Sequence, residues 1–215
     1  MPARALRPRW PRLIPLLVAL GAGSALAAPA WQVSEIVEDG TLLDAVYWPT
    51  PQPVVDAMLA LAEVTENDTV YDLGCGDGRA VVTAAKRYGA RGVGIDLNPR
   101  RVRESNANVR RNHVEKLVEI RQANILETDL SAADVVFVYL SPSFLPKVVP
   151  LLEKLKPGAR VVSHEFELPG IKHNGSTRVI APPDTAPKRT PEPGNVAHLL
   201  FRYVAPLERA KSEAR

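Results

Sequence analysis

The sequence predicts an α/β protein with a doubly wound, mostly parallel sheet of seven strands. Short apolar runs alternate with helical segments over residues 51–164, an order typical of a parallel sheet with helices on both faces. A glycine-rich turn follows the first predicted strand, residues 69–73, and a helical run follows the turn. Asp96 closes the next apolar run. A strand, a glycine turn, a helix and an acid in this order indicate a site for a nucleotide-like ligand.

Hydrophobic spacing and turn residues place the individual elements. A helix is predicted to begin at Pro51 or Pro53, with Thr50 as its N-cap. Only about ten residues, 166–175, join the fifth and sixth strands, so the usual crossover helix there should be short or missing. The other predicted helices cover residues 80–88, 99–112 and 143–155, and the other predicted strands cover residues 92–96, 117–121, 135–140, 160–164, 176–180 and 197–203.

The first 27 residues have the pattern of a targeting segment. Four arginines, and no acidic residue, precede and flank an apolar run over residues 13–22, and Ala25-Leu26-Ala27 follows. This pattern predicts a signal peptide cleaved after Ala27, and therefore an exported protein. An uncleaved membrane anchor and a mitochondrial transit peptide are the alternatives. The run is shorter than the about 20 residues of a membrane span, so no stable span is expected after cleavage.

The rest of the chain divides into an arm, one domain and a tail. Residues 28–46 are mixed and polar and predict an irregular arm. Residues 47–204 carry all seven strands, and residues 205–215 are a charged tail or a fraying helix. Residues 181–195 hold five prolines and predict a long extended excursion between the last two strands, either a substrate flap or a solvated loop.

The charge gives no support for a nucleic-acid partner. The chain has 27 basic and 24 acidic residues, but four of the arginines belong to residues 1–27. Without that segment the balance is 23 against 24, so the basic isoelectric point comes mainly from the targeting segment. The one cysteine, Cys75, excludes an internal disulfide, and a small buried residue is a better interpretation of it than a nucleophile.

The spacing of the glycines separates two kinds of ligand. A dinucleotide turn needs Gly-x-Gly-x-x-Gly, but here Arg79 stands where the third glycine would be. Asp72 and Asp77 would repel a pyrophosphate, whereas acids suit a ligand that carries an ammonium and a sulfonium, as S-adenosylmethionine does. The glycines should let backbone N–H groups approach that ligand closely. An ordinary glycine-rich turn is the alternative. The motif glycines are Gly74, Gly76 and Gly78.

The motif from Asp72 to Asp96 resembles that of the class I, seven-strand methyltransferases, which depend on S-adenosylmethionine. The resemblance extends over residues 47–203 and implies a Rossmann-like sheet with an antiparallel last strand. Three shorter segments are similar to the small lysine methyltransferases that act on the ATP-synthase c subunit, and to the seven-strand histone-lysine methyltransferases. These segments are Tyr47–Pro51, Tyr139–Pro142 and Val162–Phe166.

This resemblance implies roles for individual residues around the cofactor. The methionine end would lie at Thr50, Asp72 and Gly74, and the ribose at Asp96. The adenine edge would lie at Asn124, where such enzymes usually have Asp, although an amide carbonyl can also accept the adenine amine's hydrogen bond. The glycine turn itself completes the predicted cofactor site with Gly76, Asp77 and Gly78.

On the acceptor side the resemblance points to Tyr139 as the catalytic residue, facing the methyl group from the end of the fourth strand. A core aromatic is the alternative. An apolar channel would lower the pKa of an entering ammonium, and the predicted channel residues are Tyr47, Trp48, Phe144, Ser141, Pro142 and His164.

His164 or Glu165 could relay a proton, or the two could form a structural pair. No metal is expected, because the other three histidines show no ligand spacing with one another.

We therefore predict an S-adenosylmethionine-dependent methyltransferase that N-methylates a lysine on a protein. The alternatives are a methyltransferase for a small molecule and an S-adenosylmethionine-binding protein without turnover. The chain has no large insertion that would enclose a small molecule, which favours a side chain on a protein.

Overall fold

The computed structural model describes residues 35–36, 42–43, 47–183 and 194–210. In these residues the strands and helices follow the predicted alternation. In chain order they are β1 (Glu35–Ile36), β2 (Leu42–Leu43), α1 (Gln52–Leu61), β3 (Thr69–Leu73), α2 (Arg79–Tyr88), β4 (Arg91–Asp96), α3 (Pro99–Arg111), β5 (Val118–Gln122), β6 (Val135–Val138), α4 (Leu145–Leu152), β7 (Arg160–His164), β8 (Gly175–Ala181) and β9 (Val196–Val204).

Seven strands form one sheet in the order β5-β4-β3-β6-β7-β9-β8. β3 lies in the interior and pairs in parallel with both β4 and β6. β9 runs antiparallel to its neighbours β7 and β8. The predicted doubly wound sheet with an antiparallel last strand is therefore confirmed. The chain reverses direction across the sheet between β3 and β6, and ligands of such folds bind outside the carboxyl ends of the strands at that point.

Alternating side chains divide the core between the two faces of the sheet. One face buries Val70, Phe137 and Val162 against α1 and α2. The other face buries Tyr71, Val136 and further residues against α4. Because successive strand residues point to opposite faces, a strand covered on both sides must be apolar throughout. β6 meets this condition, since all four of its residues are buried.

Helices α1 and α4 begin at residues other than those predicted. α1 begins at Gln52 with Pro51 at the N-cap position, and no side chain caps it. Thr50 is therefore not the cap; its hydroxyl lies 3.5 Å from Nδ1 of His164 instead. α4 covers only residues 145–152 because a turn precedes it, in which the Ser141 carbonyl accepts hydrogen bonds from the amides of residues 144 and 145. Pro146 suits the first turn of α4, since it lacks an amide donor.

The segment between β7 and β8 contains no helix in residues 165–174, as predicted. The tail differs from the prediction. Residues 205–210 pack along this segment, where Lys172 donates its amide to the Glu208 carbonyl and Ala210 donates to the Gly170 carbonyl. These backbone bonds replace the fraying helix that the charged composition suggested.

The arm also differs from the irregular structure that was predicted, because β1 and β2 form a short antiparallel pair. The predicted signal peptide and most of the proline-rich excursion lie outside the described residues. Within the described ranges, no helix has both the length and the apolar character needed to cross a membrane.

Candidate cofactor site and acceptor site

The glycine turn between β3 and α2 requires glycine for its backbone shape. Gly74, Gly76 and Gly78 have φ values of 82°, 56° and 74°, a region that other residues adopt only at a cost. A Cβ on Gly76 would stand 2.2 Å from the ring of Tyr47. A side chain at Gly76 would therefore displace an aromatic ring that belongs to the protein itself.

The amides of this turn already have partners inside the protein. Gly74 and Cys75 both donate to the Ile95 carbonyl, at 2.8 and 2.9 Å, and Gly76 donates to Oδ2 of Asp96 at 2.9 Å. The prediction that the turn offers these N–H groups to a ligand is therefore wrong for these three residues. These hydrogen bonds fasten the turn to the end of β4, so the turn offers a ligand its shape and open space but not these three N–H groups.

Asp96 is the link between the turn and the end of β4. Its Oδ2 accepts from Gly76, and its Oδ1 accepts from the amide of Asn98 at 2.9 Å. Both bonds orient the half-buried carboxylate. Each carboxylate oxygen can accept more than one hydrogen bond, so these two bonds do not by themselves exclude a contact with a ligand. The ribose contact expected of Asp96 stays a prediction.

Asp72 gives the turn the electrostatic character of a cation site. It is half-buried at the end of β3. Burial, followed by the nearby carboxylates of Asp96 and Asp77, raises the pKa of its carboxyl from 3.8 to about 7. A bound cation would reverse this shift by stabilising the ionised form. The contact expected between Asp72 and the positively charged end of the cofactor stays a prediction.

Asp77 has partners other than the predicted ligand. Its two carboxylate oxygens accept from Nε and Nη2 of Arg79 at 2.9 and 2.7 Å, and Oδ1 also accepts from the Arg79 amide at 3.2 Å. Arg79 in turn donates from Nη1 to the Thr50 carbonyl at 2.8 Å. The pair thus joins the first turn of α2 to the segment before α1, a role that the glycine spacing alone did not reveal.

Asn124 lies at the expected edge of the site but has local partners. The amide of the preceding residue, Ala123, donates to the Asp96 carbonyl, which keeps the end of β5 beside the end of β4. Oδ1 of Asn124 accepts from Leu126 at 3.0 Å and Nδ2 donates to Glu127 at 2.9 Å. The side chain therefore caps a short 3-10 turn, and only the second lone pair of Oδ1 is left for an adenine.

Three predicted residues come together beyond β6. The ring centroids of Tyr139 and His164 are 4.1 Å apart, and the Thr50 hydroxyl lies 3.5 Å from Nδ1 of the same histidine. Tyr139 is half-buried, but His164 is completely buried. The structure therefore contradicts the prediction that His164 lines an open channel, because β9 and Tyr139 cover it.

The remaining channel residues divide between two places. Ser141 and Pro142 form the half-buried turn after Tyr139, and the Ser141 hydroxyl lies 3.0 Å from that of Ser143. Tyr47 lines a cavity of about 640 Å³ beside the glycine turn, where Arg101 stacks on its ring at 4.2 Å. Trp48, Phe144 and Tyr139 are not among the residues that line this cavity, although all three are half-buried. A single channel shared by Tyr47 and Tyr139 therefore remains a prediction.

Cys75 is sealed beneath the turn. Its Sγ lies 3.7 Å from the Ser105 hydroxyl on α3, and a Cβ on Gly94 would stand 2.9 Å from the same sulfur. Burial, followed by the charges of Asp72 and Asp96, raises the pKa of the thiol well above its usual value. The thiol is therefore protonated and enclosed, which is the opposite of what a nucleophile needs.

His198 joins His164 and Glu165 in a cluster that sequence reasoning missed. The three residues are 34 positions apart at most, and they meet because β9 runs beside β7. Burial opposes ionisation of Glu165, but hydrogen bonds and charge from the two histidines lower the pKa of its carboxyl overall. Pairing the last predicted strand with the fifth one would have revealed this cluster.

Comparison with known proteins identifies the family of this chain. The family described as the ANTKMT methyltransferase domain matches residues 72–175. The chain is 42% identical, over 160 residues, to a protein-lysine N-methyltransferase of Saccharolobus islandicus, an overlap of 74% of this chain and 92% of the relative. This chain belongs to the seven-strand methyltransferases.

Two solved structures place the methyltransferase among its neighbours. One is described as an RNA methyltransferase from Salinibacter ruber in complex with S-adenosylhomocysteine; it is 39% identical, with a TM-score of 0.65, over 78% of this chain and 99% of that one. A precorrin-8w decarboxylase from Methanobacterium thermoautotrophicum, 24% identical with a TM-score of 0.56 over 73% of this chain and 92% of that one, shares the fold. The cofactor of the methyltransferase is S-adenosylmethionine.

Proposed function

We propose that this methyltransferase acts on the side-chain nitrogen of a lysine in a protein. The main support for this proposal is the similarity to the Saccharolobus protein-lysine N-methyltransferase, because the alignment covers 92% of that relative. The two sequences align over 160 residues, which is 74% of this chain. The segments around Tyr139 and His164, which carried the resemblance to lysine methyltransferases in the sequence, lie together beyond β6.

We further propose that the cofactor lies over the carboxyl ends of β3 and β4. The carboxylate of Asp72 would face its positive charge and that of Asp96 its ribose. The raised pKa of Asp72 supports the first contact, since an acid among acids favours a cationic partner. Thr50, Gly74 and Asn124 would complete the site, with Asn124 using the free lone pair of Oδ1.

When bound, S-adenosylmethionine supplies a methyl group that its sulfonium has already activated. The protein's task is to present a neutral amine in line with that group and to exclude water. Tyr139 is half-buried beside the fully buried His164, so an ammonium entering there would be desolvated and would lose its proton more easily. The amine lone pair would then form the new nitrogen–carbon bond as the methyl group leaves the sulfur, and the resulting methylammonium would lose one proton to solvent.

A nucleic-acid acceptor is the main competing class, because one structural neighbour is described as an RNA methyltransferase. The charge of the chain beyond residue 27 is close to zero, 23 basic against 24 acidic residues. Binding to a phosphate backbone depends on an excess of basic residues, which this balance does not provide. A protein acceptor is therefore favoured.

The acceptor class can be determined by methyl labelling. The purified chain would be incubated with tritium-labelled S-adenosylmethionine and a cell extract separated into protein, RNA and small-molecule fractions. We expect label in protease-sensitive material that yields methyl-lysine after acid hydrolysis, and less label with the Asp96→Ala variant when S-adenosylmethionine is limiting. Label found only in RNA or only in the small-molecule fraction would refute the lysine proposal.

The role of Tyr139 can be tested with Tyr139→Ala. If it positions the amine, single-turnover rates should fall by tenfold or more while S-adenosylhomocysteine affinity stays near wild type, because the loss falls on the transition state. Tyr88 offers a matched control, since it is also a half-buried tyrosine but lies at the end of α2. Tyr88→Ala should lower the melting temperature without changing the rate. A normal rate in a stable Tyr139→Ala protein would contradict the role.

A further inference from the structure

The buried cluster of His164, Glu165 and His198 brings three ligand-type atoms into mutual contact. Nε2 of His164 lies 3.1 Å from Nδ1 of His198, which lies 2.9 Å from Oε1 of Glu165. The third side of the triangle, from Nε2 of His164 to Oε1 of Glu165, is 3.3 Å. The side chains of His164 and His198 are 0% and 2% exposed, so both imidazoles are shielded from solvent.

The outer nitrogen of each histidine faces an oxygen outside the triangle. Nε2 of His198 lies 2.9 Å from the Pro182 carbonyl, and because a carbonyl can only accept, that nitrogen carries the proton. Nδ1 of His164 lies 3.5 Å from the Thr50 hydroxyl. Histidines that bind metals usually direct one nitrogen to the metal and hold the other with an oxygen partner in this way.

The inner atoms of the triangle are three lone-pair donors that face one another at 2.9 to 3.3 Å. A neutral His198 presents the lone pair of Nδ1 to the Glu165 carboxylate, which is unfavourable in a buried site. A single proton, on Nδ1 of His198 or on Nε2 of His164, leaves the other of these two nitrogens facing Glu165 lone pair to lone pair. A second proton, on Nε2 of His164, would set two N–H groups against each other at 3.1 Å. One ion bound by all three atoms removes these conflicts.

We propose that His164, Glu165 and His198 bind one divalent transition-metal ion, with zinc as the best match. Two imidazoles and a carboxylate are a donor set that zinc accepts readily. Zinc bonds of about 2.0–2.1 Å in a tetrahedron separate the ligand atoms by about 3.3 Å, close to the three distances of the triangle. The fourth position is available to water, and Glu165, whose side chain is 26% exposed, forms the side by which the ion enters.

The backbone of Glu165 supports a built site. Its φ is 65°, a conformation that residues other than glycine rarely adopt. Such strain persists where the surrounding structure needs it, and here it turns the carboxylate toward the histidines. The ion would fasten β7 to β9 and to Pro182, where the proline-rich segment begins. Through His164 it would also fix Tyr139 and Thr50, so its role is to position the acceptor side.

Zinc uptake by the full-length chain tests this site directly. The protein would be produced without a polyhistidine tag, dialysed against a chelator and titrated with zinc sulfate by calorimetry. We expect one zinc ion per chain and a melting temperature that rises with zinc, because the ion binds the folded state. Cobalt(II) should give the visible absorption bands of a tetrahedral site. None of these readouts depends on methyl transfer, so failure of the lysine proposal would leave them unchanged.

Variants distinguish the cluster from other histidines. Glu165→Gln keeps the shape of the side chain and removes its charge, and His198→Gln removes an imidazole. Each variant should weaken zinc binding at least tenfold, because even substitutions of residues that only hydrogen-bond to metal ligands can cause a loss of that size. His113→Asn is the control, because His113 is exposed and its positive φ of 56° suits Asn. The control should bind zinc as the wild type does. Wild-type protein that takes up no zinc, or a folded Glu165→Gln variant with wild-type affinity, would overturn the proposal and leave a protonated network.

Discussion

The carboxylate of Asp96 accepts hydrogen bonds from the protein backbone and, in our proposal, also binds the ribose of the cofactor. Its two oxygens hold Gly76 and Asn98, so the residue shapes the turn before any ligand arrives. The sequence placed an acid at the end of the second strand of the sheet, and the structure has it there. The sequence could not show that this acid accepts a hydrogen bond from the backbone of the turn, because that contact depends on the relative positions of β3 and β4.

Replacing Asp96 should separate these two roles. Asp96→Asn keeps one acceptor oxygen and loses the charge, and we expect S-adenosylhomocysteine affinity to fall about tenfold to a hundredfold, since one charge-assisted hydrogen bond contributes about 1.5–3 kcal/mol. Asp96→Ala should lose at least as much affinity and also lower the melting temperature. Calorimetric titration and thermal melts measure both effects. Unchanged affinity in both variants would mean that the acid contacts only the protein.

If Asp72 contacts the cofactor as proposed, we expect cofactor binding to depend on pH. Its pKa is raised from 3.8 to about 7, so the folded chain holds a proton that the unfolded chain has released between these values. Stability of the ligand-free protein should therefore fall as the pH rises from about 4 to 7, by up to about 4 kcal/mol. Affinity for S-adenosylmethionine should rise over pH 6–8, as the carboxylate that attracts its positive charge forms.

Asp72→Asn should remove both pH effects. The variant should be more stable than wild type at pH 8 without ligand, and it should bind S-adenosylmethionine more weakly with little change between pH 6 and 8. Glu115→Gln, an exposed carboxylate on the surface, is the control and should leave both profiles as they are. Melts and titrations across this range make the comparison. A wild-type affinity that is flat with pH would remove Asp72 from the cofactor site.

At the scale of the elements, local patterns predicted which strands and helices exist, and contacts between distant segments determined their ends. α2 was predicted to within one residue because its apolar spacing and the glycine that follows it are local signals. The N-cap of α1 was predicted wrongly because Thr50 contacts His164, 114 residues away. The His164–Glu165–His198 cluster was missed for the same reason, since it exists only once β9 pairs with β7.

The glycine turn allows a controlled test of shape. Gly76 and Gly158 both have positive φ, at 56° and 84°, but a Cβ on Gly158 would have nothing within 4 Å. Gly158→Ala should therefore cost about 1–2 kcal/mol, the cost of the backbone conformation alone. Gly76→Ala should cost more and also reduce S-adenosylhomocysteine affinity, because it displaces the Tyr47 ring from the site. Equal losses of stability in the two variants would contradict the Tyr47 contact.

At the scale of the whole molecule, composition and alternation were enough to predict a single seven-strand domain, because that architecture follows from how apolar strands and helices must cover one another. The packing of residues 205–210 was not predictable, since it depends on backbone bonds to residues 170 and 172 and their side chains carry no pattern. Charged composition alone suggested a free tail.

The targeting prediction for residues 1–27 can be tested on the expressed protein. Export with cleavage after Ala27 predicts a mature chain that begins at Ala28, and N-terminal sequencing of protein from the envelope fraction measures this directly. A variant with Ala25 and Ala27 replaced by Leu should retain the segment, because the small residues that define the cleavage site are gone. Cytosolic protein with an intact Met1 terminus would contradict export.

The enclosed position of Cys75 gives the methyltransferase an internal reporter of breathing motions. The thiol is buried between Gly94 and Ser105 under the glycine turn, and it is the only cysteine in the chain. A water-soluble maleimide can therefore modify the native protein only during transient openings of that turn, so the labelling rate measures how often the turn opens. If the cofactor lies over β3 and β4 as proposed, saturating S-adenosylhomocysteine should slow the labelling in proportion to its occupancy. Ligand binding can thus be followed by mass spectrometry, as a change in the rate at which the single cysteine gains the mass of the maleimide.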